Sequence, residues 1–196
     1  MKVIGITGPS GSGKTTLAKI LKENYSSAVI EADIVARKLS NDSTTEYFKK
    51  IVELFGKDIL KDNKLNRREM AYIIYKDKEK RNELNKLTFK YVVEDINKQI
   101  KEFKNNNFEY IVVDVPLLYE AKMEKICDVV IAVVAEDMEK VLRICKRDNV
   151  TEDIAKGRLK IQNDNEFFVK KADYTIHNDG TIEKMKKTLE EIINKI

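Results

Sequence analysis

Gly8-Pro9-Ser10-Gly11-Ser12-Gly13-Lys14-Thr15-Thr16 follows directly on the apolar run Val3-Ile4-Gly5-Ile6-Thr7 near the start of this 196-residue chain. The nonapeptide matches the pattern G-x-x-x-x-G-K-[ST], and the amphipathic residues 15–24 after it predict a helix. Glycines let the loop turn successive N–H groups toward one phosphate, and the helix N-terminus adds positive potential at the same point. A strand, this loop and a helix, in that order, predict a phosphate-binding loop of the P-loop NTPase fold.

The same motif assigns roles to individual side chains. The Lys14 ammonium is expected to reach the β and γ phosphates of ATP from a solvated position, and the Thr15 hydroxyl to coordinate Mg²⁺. Asp114 ends the apolar run of residues 111–113, where a second carboxylate would face the same Mg²⁺, although an Asp after a strand is also a common solvated turn residue. We predict that ATP and Mg²⁺ bind through Gly8, Ser10, Gly11, Ser12, Gly13, Lys14, Thr15, Thr16 and Asp114.

Five short β-rich runs, with helical patterns between them, indicate the architecture. The runs are apolar without alternation, which is typical of strands that helices cover on both faces of a parallel sheet. We therefore predict an α/β fold with a doubly wound, mostly parallel five-stranded sheet. The predicted strands are residues 3–7, 28–30, 110–115, 129–135 and 174–177.

Two long segments do not fit simple crossovers of this sheet. Residues 34–104 contain several amphipathic helices, including a long one over 78–103, and predict a helical insertion that binds the acceptor substrate. Residues 143–168 carry three arginines and two helical segments joined near 149–151, and predict a mobile lid. We expect a single domain over residues 1–196 that contains both.

The composition is that of a folded enzyme and argues against several other classes. Apolar residues make up 42% and charged residues 36% of the chain, with a formal charge of +4; because like charges form no block, we expect a phosphorylated small molecule and no nucleic acid as partner. Cys127, Cys145 and His177 are too few for a structural zinc site. Neither a signal peptide nor a membrane-spanning run is recognisable, so we expect a cytoplasmic monomer or weak homo-oligomer.

The segment after the second predicted strand narrows the class of enzyme. The guanine motif of GTPases and the signature motif of ABC ATPases are both missing, which leaves small-molecule kinases. Asp33 stands just past a strand end, in the crevice where open α/β sheets bind ligands, and could accept the proton of a substrate hydroxyl. Its alternative is a helix N-cap, and both roles can coexist. Arg37, one turn later, would pair with a substrate phosphate or with a nearby acid.

Five stretches, read together, extend this reasoning to the acceptor. They are Glu31-Ala32-Asp33-Ile34-Val35-Ala36-Arg37, Phe55-Gly56-Lys57-Asp58-Ile59-Leu60, Leu65-Asn66-Arg67-Arg68, Pro116-Leu117-Leu118-Tyr119-Glu120 and Ala172-Asp173-Tyr174-Thr175-Ile176-His177-Asn178-Asp179-Gly180. Together they resemble the dephospho-CoA kinase family over nearly the whole chain. Phe89-Lys90 stands where that family usually carries a His-Pro pair, and Glu31 replaces the first Asp of its D-A-D stretch; both departures concern the acceptor rather than the phosphate loop.

The resemblance implies roles for further residues. Three of these residues have a simpler alternative to a ligand contact. Asn66 could cap its helix, Arg147 could be a solvated charge, and Asn178 could belong to a turn. Glu120 and Gln162 also match the family. The simpler role of Glu120 is support of the loop around Pro116, and that of Gln162 is a lid position without a ligand. The implied contacts are substrate contacts from Asp33, Arg37, Asn66, Arg67, Pro116 and Leu117, and lid or ATP contacts from Arg143, Arg147 and Asn178.

The expected reaction is transfer of the ATP γ-phosphoryl group to the 3′-hydroxyl of dephospho-CoA, which gives coenzyme A and ADP in the last step of CoA biosynthesis. Asp33 would deprotonate the hydroxyl, while Lys14 and Arg143 stabilise charge on the transferring group. A nucleoside or nucleoside monophosphate kinase is the enzymatic alternative, since the phosphate loop would suit a uridine kinase as well. A non-enzymatic binding module that uses ATP as a switch is the third possibility.

Overall fold

The computed structural model describes residues 1–196 and contains a five-stranded sheet flanked by helices. The strand order is β2-β5-β1-β6-β7, and β1 runs parallel to both β5 and β6, as β6 does to β7. The predicted α/β class and parallel five-stranded sheet are therefore confirmed. The strands of this sheet are β1 (Lys2–Thr7), β2 (Ser27–Glu31), β5 (Tyr110–Asp114), β6 (Val129–Val134) and β7 (Tyr174–His177), and β3 (Leu60–Lys61) and β4 (Lys64–Leu65) form a separate antiparallel hairpin.

Nine α-helices connect and cover the strands. Five of them are preceded by a residue whose side-chain oxygen accepts a hydrogen bond from the N–H three residues later: Thr45, Asn66, Asp77, Asp164 and Thr181. Each such cap stabilises its helix by about 0.5–2 kcal/mol relative to Ala. The helices are α1 (Lys14–Asn24), α2 (Ala32–Asn41), α3 (Glu46–Phe55), α4 (Arg67–Lys76), α5 (Lys78–Phe103), α6 (Asp137–Asp148), α7 (Glu152–Lys160), α8 (Asn165–Lys171) and α9 (Ile182–Ile193).

The chain divides into two compact units, and the first comprises residues 1–30 and 103–196. Its core lies between the sheet and two helices: Leu17 and Leu21 of α1 and Leu189 of α9 pack with apolar side chains of β1 and β6. These three leucines are fully buried, which stabilises the sheet by roughly 1.5–3 kcal/mol per side chain. The first unit thereby holds β1, the central strand of the sheet, and the start of α1 in a fixed position.

The second unit comprises residues 31–102 and contains α2, α3, α4, most of α5 and the hairpin. Its own core is built around Tyr47, Ile51, Phe55 and Ile59. It coincides closely with the predicted helical insertion, residues 34–104, although the sequence reading did not predict the hairpin. No helix of the structure is both long enough and apolar enough to cross a membrane.

Candidate active site

The loop between β1 and α1 requires glycine at positions where no other residue fits. Gly8 has φ +139°, and a Cβ there would lie 2.1 Å from the carbonyl oxygen of Val133. Gly13 has φ +108°, and a Cβ would lie 2.1 Å from Nδ2 of Asn178. Side chains would therefore be excluded both by conformation and by space. The tight packing keeps the backbone of this loop in one shape.

The N-terminus of α1 is open to an anion. Gly13 occupies the N-cap position without a side-chain cap, and the first turn carries no acidic residue. The first N–H groups of a helix have no intrahelical partner, and the helix dipole makes this end positive. An uncapped helix start of this kind, preceded by a glycine loop, fits a phosphate group.

Lys14 is buried rather than solvated. Its side chain is folded into the loop, where Nζ donates hydrogen bonds to the carbonyl oxygens of Gly8 at 2.8 Å and Pro9 at 3.0 Å, and the residue is only 9% exposed. The expectation of a solvated lysine was wrong, because the loop wraps around the ammonium group and its carbonyls replace water. Lys14 therefore shapes the loop as well as placing a positive charge in it.

A cavity of about 430 Å³ opens over the loop. The exposed Thr15 and the buried Asp114 both line it, and Asp114, the last residue of β5, lies opposite Ile6 of β1 in the sheet register. One hydroxyl and one carboxylate suit Mg²⁺, which binds few protein oxygens and keeps waters and phosphate oxygens as its other ligands. The lining residues are Ser10, Gly11, Gly13, Lys14, Thr15, Thr16, Asp114, Pro116, Arg143, Arg147 and Gln162.

Arg143 of α6 binds the backbone of the phosphate loop. Its Nη1 donates to the carbonyl oxygens of Gly11 at 3.4 Å and Ser12 at 3.5 Å, and its Nη2 donates to the carbonyl oxygen of Asn178 at 3.0 Å and to Glu139 at 3.3 Å. A planar guanidinium can serve several acceptors at once. Arg143 therefore ties α6, the loop and the segment after β7 together while it faces the cavity.

Arg147, one helical turn after Arg143, reaches the outer part of the loop. Its Nη2 lies 3.4 Å from Oγ of Ser10, and its guanidinium is paired with Asp148. The hydrogen bond from Arg147, together with the nearby Arg158, lowers the pKa of Asp148 to about 2. Asp148 is ionised at neutral pH and pairs with Arg147, whose side chain is 59% exposed.

Asn178 supports the loop from the other side. Its Nδ2 donates to the carbonyl oxygen of Ser12 at 2.7 Å, and its backbone N–H donates to Val134 at 2.8 Å. The next residue, Asp179, accepts the N–H of Glu136. Asn178 thus fastens the phosphate loop to the end of β7, and its contact with ATP stays a prediction.

The loop after β5 carries two of the predicted substrate residues. Pro116 lines the cavity, whereas Leu117 is 37% exposed and does not. Glu120 accepts a hydrogen bond from Nδ2 of Asn163 at 2.8 Å. Glu120 therefore fixes this loop to the turn between α7 and α8, which agrees with its simpler predicted role.

The sequence reading missed one direct contact with the phosphate loop. Gln162, in the same turn, accepts the backbone N–H of Ser10 through Oε1 at 2.8 Å. These two residues are 152 positions apart in the chain, and no local pattern marks their pairing. The position of Gln162 as a lid residue without a ligand stays a prediction, and its contact with Ser10 adds a support of the phosphate loop.

Asp33 and Arg37 belong to the second unit. Both are exposed, and Asp33 is the second residue of α2, where Glu31 holds the N-cap position without a side-chain cap. Asp33 is therefore not the N-cap, so that alternative was wrong. Its carboxylate lies in the first helical turn, where the helix dipole favours a negative charge.

Asn66 and Arg67 lie at the start of α4 in the same unit. Asn66 caps the helix, since its side chain accepts the N–H of Glu69 at 3.3 Å. Arg67 donates through Nη2 to Oγ of Ser40 at 2.7 Å and to Oδ1 of Asn41 at 3.1 Å. A cavity of about 190 Å³, mostly apolar and lined by Arg67 and Ser40, lies beside them. It offers an apolar wall and one cation to a ligand.

Comparison with known proteins agrees with this geometry. The profile of the family described as "Dephospho-CoA kinase" matches residues 2–184. The chain belongs to the dephospho-CoA kinase family. A dephospho-CoA kinase of Bacillus anthracis is 37% identical over 98% of this chain and 96% of its own length. Another from Oryza sativa subsp. japonica is 33% identical over 100% of this chain and 85% of its own length.

Solved structures of other proteins share the fold of this chain. A dephospho-CoA kinase from Campylobacter jejuni superposes with a TM-score of 0.69 at 26% identity, covering 98% of this chain and 96% of its own. The shikimate kinase of Acinetobacter baumannii has a TM-score of 0.56 at 16% identity over 100% of this chain and 94% of its own, and so shares the fold alone. The chain is thus a P-loop kinase over its whole described length.

Proposed function

We propose that this protein transfers the γ-phosphoryl group of ATP to the 3′-hydroxyl of dephospho-CoA and releases coenzyme A and ADP. Membership of the dephospho-CoA kinase family supports the reaction and the use of ATP. The observation that carries the proposal is the cavity in which an uncapped helix start, Lys14, Arg143 and Arg147 converge. Such a site concentrates positive charge and N–H donors where a triphosphate would lie.

The first unit would bind the nucleotide and stabilise the transferring group. N–H groups from Gly11 to Thr15 would hold the phosphates, while Lys14 and Arg147 supply positive charge toward the terminal one. Arg143 holds the loop carbonyls in place, so that these donors are positioned before the reaction begins. In phosphoryl transfer, such positioning and electrostatic stabilisation supply most of the acceleration.

Mg²⁺ would be held by Thr15 and Asp114. The metal would neutralise charge on the β and γ phosphates, which is its usual contribution in P-loop kinases. Asp114 lines the cavity from a buried position at the end of β5. Because the strand fixes this carboxylate, it can place a metal, or a metal-bound water, without reorganisation.

The second unit would bind the acceptor. Asp33 would orient the 3′-hydroxyl and accept its proton, and Arg37 and Arg67 would pair with acceptor phosphates. Asn66 would act through its cap on α4, which sets the direction of Arg67. Pro116 and Leu117, in the loop after β5, complete the proposed set of substrate contacts. Movement of residues 143–168 as a lid would exclude water from the phosphates.

Acceptor-dependent release of ADP tests this function. The purified protein, given ATP and Mg²⁺, should release ADP rapidly with dephospho-CoA and slowly with uridine, cytidine or their monophosphates. Faster release with a nucleoside would favour a nucleoside kinase, and slow release with every acceptor would favour a binding module. Omission of Mg²⁺ should abolish the reaction, because the metal would neutralise charge on the β and γ phosphates. We further propose that the protein is cytoplasmic and that it is a monomer or weak homo-oligomer. Light scattering would measure its oligomeric state.

A further inference from the structure

The turn between α7 and α8 is bonded in three directions through consecutive side chains. Gln162 accepts the N–H of Ser10 at 2.8 Å, and Asn163 donates to Glu120 at 2.8 Å. Asp164 accepts the N–H of Phe167 at 2.9 Å and caps α8. The turn is therefore fixed to the phosphate loop, to the loop after β5 and to its own helix, and the bond to Ser10 is the one that holds Gln162 at the rim of the cavity.

The orientation of the Gln162 amide follows from its partner. A backbone N–H can only donate, so the atom facing Ser10 must be the amide oxygen. Nε2 is then the other atom of the amide, and its two hydrogens have no partner in the protein. Since Gln162 also lines the cavity with Lys14 and Arg147, two neutral N–H donors remain for the ligand of that cavity.

The γ-phosphate of bound ATP would lie on the side of Ser10. Nζ of Lys14, the group that reaches the β and γ phosphates in this motif, is bonded to the carbonyls of Gly8 and Pro9. These residues directly precede Ser10 on the same arm of the loop. Arg147 approaches the Ser10 hydroxyl as well. The other arm leads into α1, whose N-terminus suits the inner phosphates.

We propose that Gln162 donates a hydrogen bond from Nε2 to the γ-phosphate of bound ATP and thereby discriminates ATP from ADP. The proposal rests on the ATP site argued above. ADP has no γ-phosphate, so it cannot use this donor, while it shares with ATP the inner phosphates that the loop binds. A neutral amide also adds no charge that would retain ADP after transfer. Gln162 is thus a substrate-contacting residue in addition to a support of Ser10.

Two substitutions separate this role from a purely structural one. Gln162→Glu keeps an oxygen for the Ser10 N–H, removes both donors and brings a negative charge near the γ-phosphate. Gln162→Met keeps the length without any hydrogen bond. Both should raise the ratio of the ATP Kd to the ADP Kd by about tenfold or more relative to wild type, because a lost hydrogen bond to a charged group typically has this size.

Asn163→Ala is the matched control in the same turn, because it removes the bond to Glu120 and leaves Gln162 in place. We would measure the Kd of Mg·ATP and of Mg·ADP by titration calorimetry without acceptor, and confirm folding of each variant by circular dichroism. The ratio should stay within about twofold of wild type for Asn163→Ala. If one Gln162 variant does not fold, the other still gives the ratio.

If the Gln162 variants weaken the binding of ATP and of ADP equally, the proposal is overturned, since Gln162 would then only shape the loop. An unchanged ratio with unchanged affinities would overturn it as well. Wild-type protein that binds neither nucleotide would refute the ATP site itself, and that outcome is distinct from both. A raised ratio confined to the Gln162 variants would establish the contact.

Discussion

Asp33 offers the clearest separation of chemistry from stability among the proposed site residues. It is exposed in the first turn of α2 and does not cap the helix, so Asp33→Asn removes only a favourable interaction with the helix dipole, about 0.3–1 kcal/mol. The variant should melt within a few degrees of wild type. Because an amide cannot accept the hydroxyl proton, turnover at saturating substrates should fall by roughly 10²-fold or more.

The measurement combines ADP release with ATP titration on the same preparation, and the ATP Kd should change far less than turnover. Asp77→Asn is a suitable control, because Asp77 accepts the N–H of Lys80 at the start of α5 and Asn can replace it in that role. Preserved turnover in Asp33→Asn would remove Asp33 from the mechanism. A loss of equal size in Asp77→Asn would point to the stability of the second unit instead.

The residues of the site differ in how far the sequence could reveal them. The loop from Gly8 to Thr15 is predictable because its chemistry is local: adjacent residues make one backbone shape. The burial of Lys14 was missed because it depends on how the loop closes around the ammonium. The bond between Gln162 and Ser10 was missed because it joins distant parts of the chain through a backbone N–H, which any residue type at position 10 except proline would offer.

Helix α6 positions the phosphate loop through Arg143, which gives a prediction at the scale of an element. Arg143→Lys keeps the charge. In the wild type, two guanidinium nitrogens donate to the carbonyls of Gly11, Ser12 and Asn178, and a single ammonium group cannot reach all three carbonyls at once. The loop should then be held less firmly. We expect a raised KM for ATP and a turnover lowered by about tenfold or more, measured by initial rates of ADP release.

Arg81→Lys in α5 is the control for this exchange, because it makes the same chemical change outside the first unit. It should leave turnover and the KM for ATP within about twofold of wild type. If Arg143→Lys loses no more activity than Arg81→Lys, Arg143 is a surface charge with dispensable contacts. A melting temperature lowered in both variants alike would also remove the special role of Arg143.

Strand β1 is packed too tightly for a side chain at its centre. A Cβ on Gly5 would lie 2.7 Å from Sγ of Cys127 and 2.8 Å from Cδ1 of Leu118. Gly5→Ala should therefore destabilise the protein by about 1–3 kcal/mol through overpacking, measured as the free energy of unfolding in urea. Cys127→Ala in the same chain should recover part of this loss, since it removes one of the two clashing groups.

Gly157→Ala is the matched control for overpacking. Gly157 lies within α7, and a Cβ there would meet no atom within 4 Å. This exchange should stabilise the helix by up to about 1 kcal/mol, because Ala has the higher helix propensity. Equal effects of the two glycine substitutions would contradict the role of Gly5 packing, as would a double variant no more stable than Gly5→Ala alone.

Elements were predictable where they were long or fully apolar. β1, β5 and β6 are continuous apolar runs because helices cover both faces of the sheet, and α5 was recognisable from its length. The β3–β4 hairpin was missed because each strand has two residues, too few to show alternation. Its turn residues Asp62 and Asn63 have positive φ, a conformation that Asp and Asn tolerate, but this signal is weak without strands beside it.

The two proposed ligands are assigned to different units of the molecule. The chain leaves the first unit after residue 30 and returns at residue 103, so the second unit is an insertion between β2 and β5. The sequence could predict it because the gap was too long and too helical for a simple crossover. The proposed ATP contacts lie in the first unit, and Asp33, Arg37, Asn66 and Arg67 lie in the second.

Binding of the two substrates should therefore respond to different substitutions. Lys14→Ala removes the ammonium from the phosphate loop and should raise the Kd of ATP by about tenfold or more, while the Kd of dephospho-CoA stays within about twofold of wild type. Arg67→Ala should do the reverse, because it removes the cation beside the cavity of the second unit. Arg68→Ala, its exposed neighbour in α4, should change neither. Each Kd is measured alone by calorimetry. Were Lys14→Ala to weaken both ligands equally, or Arg67→Ala to act like Arg68→Ala, the assignment of the acceptor to the second unit would be wrong.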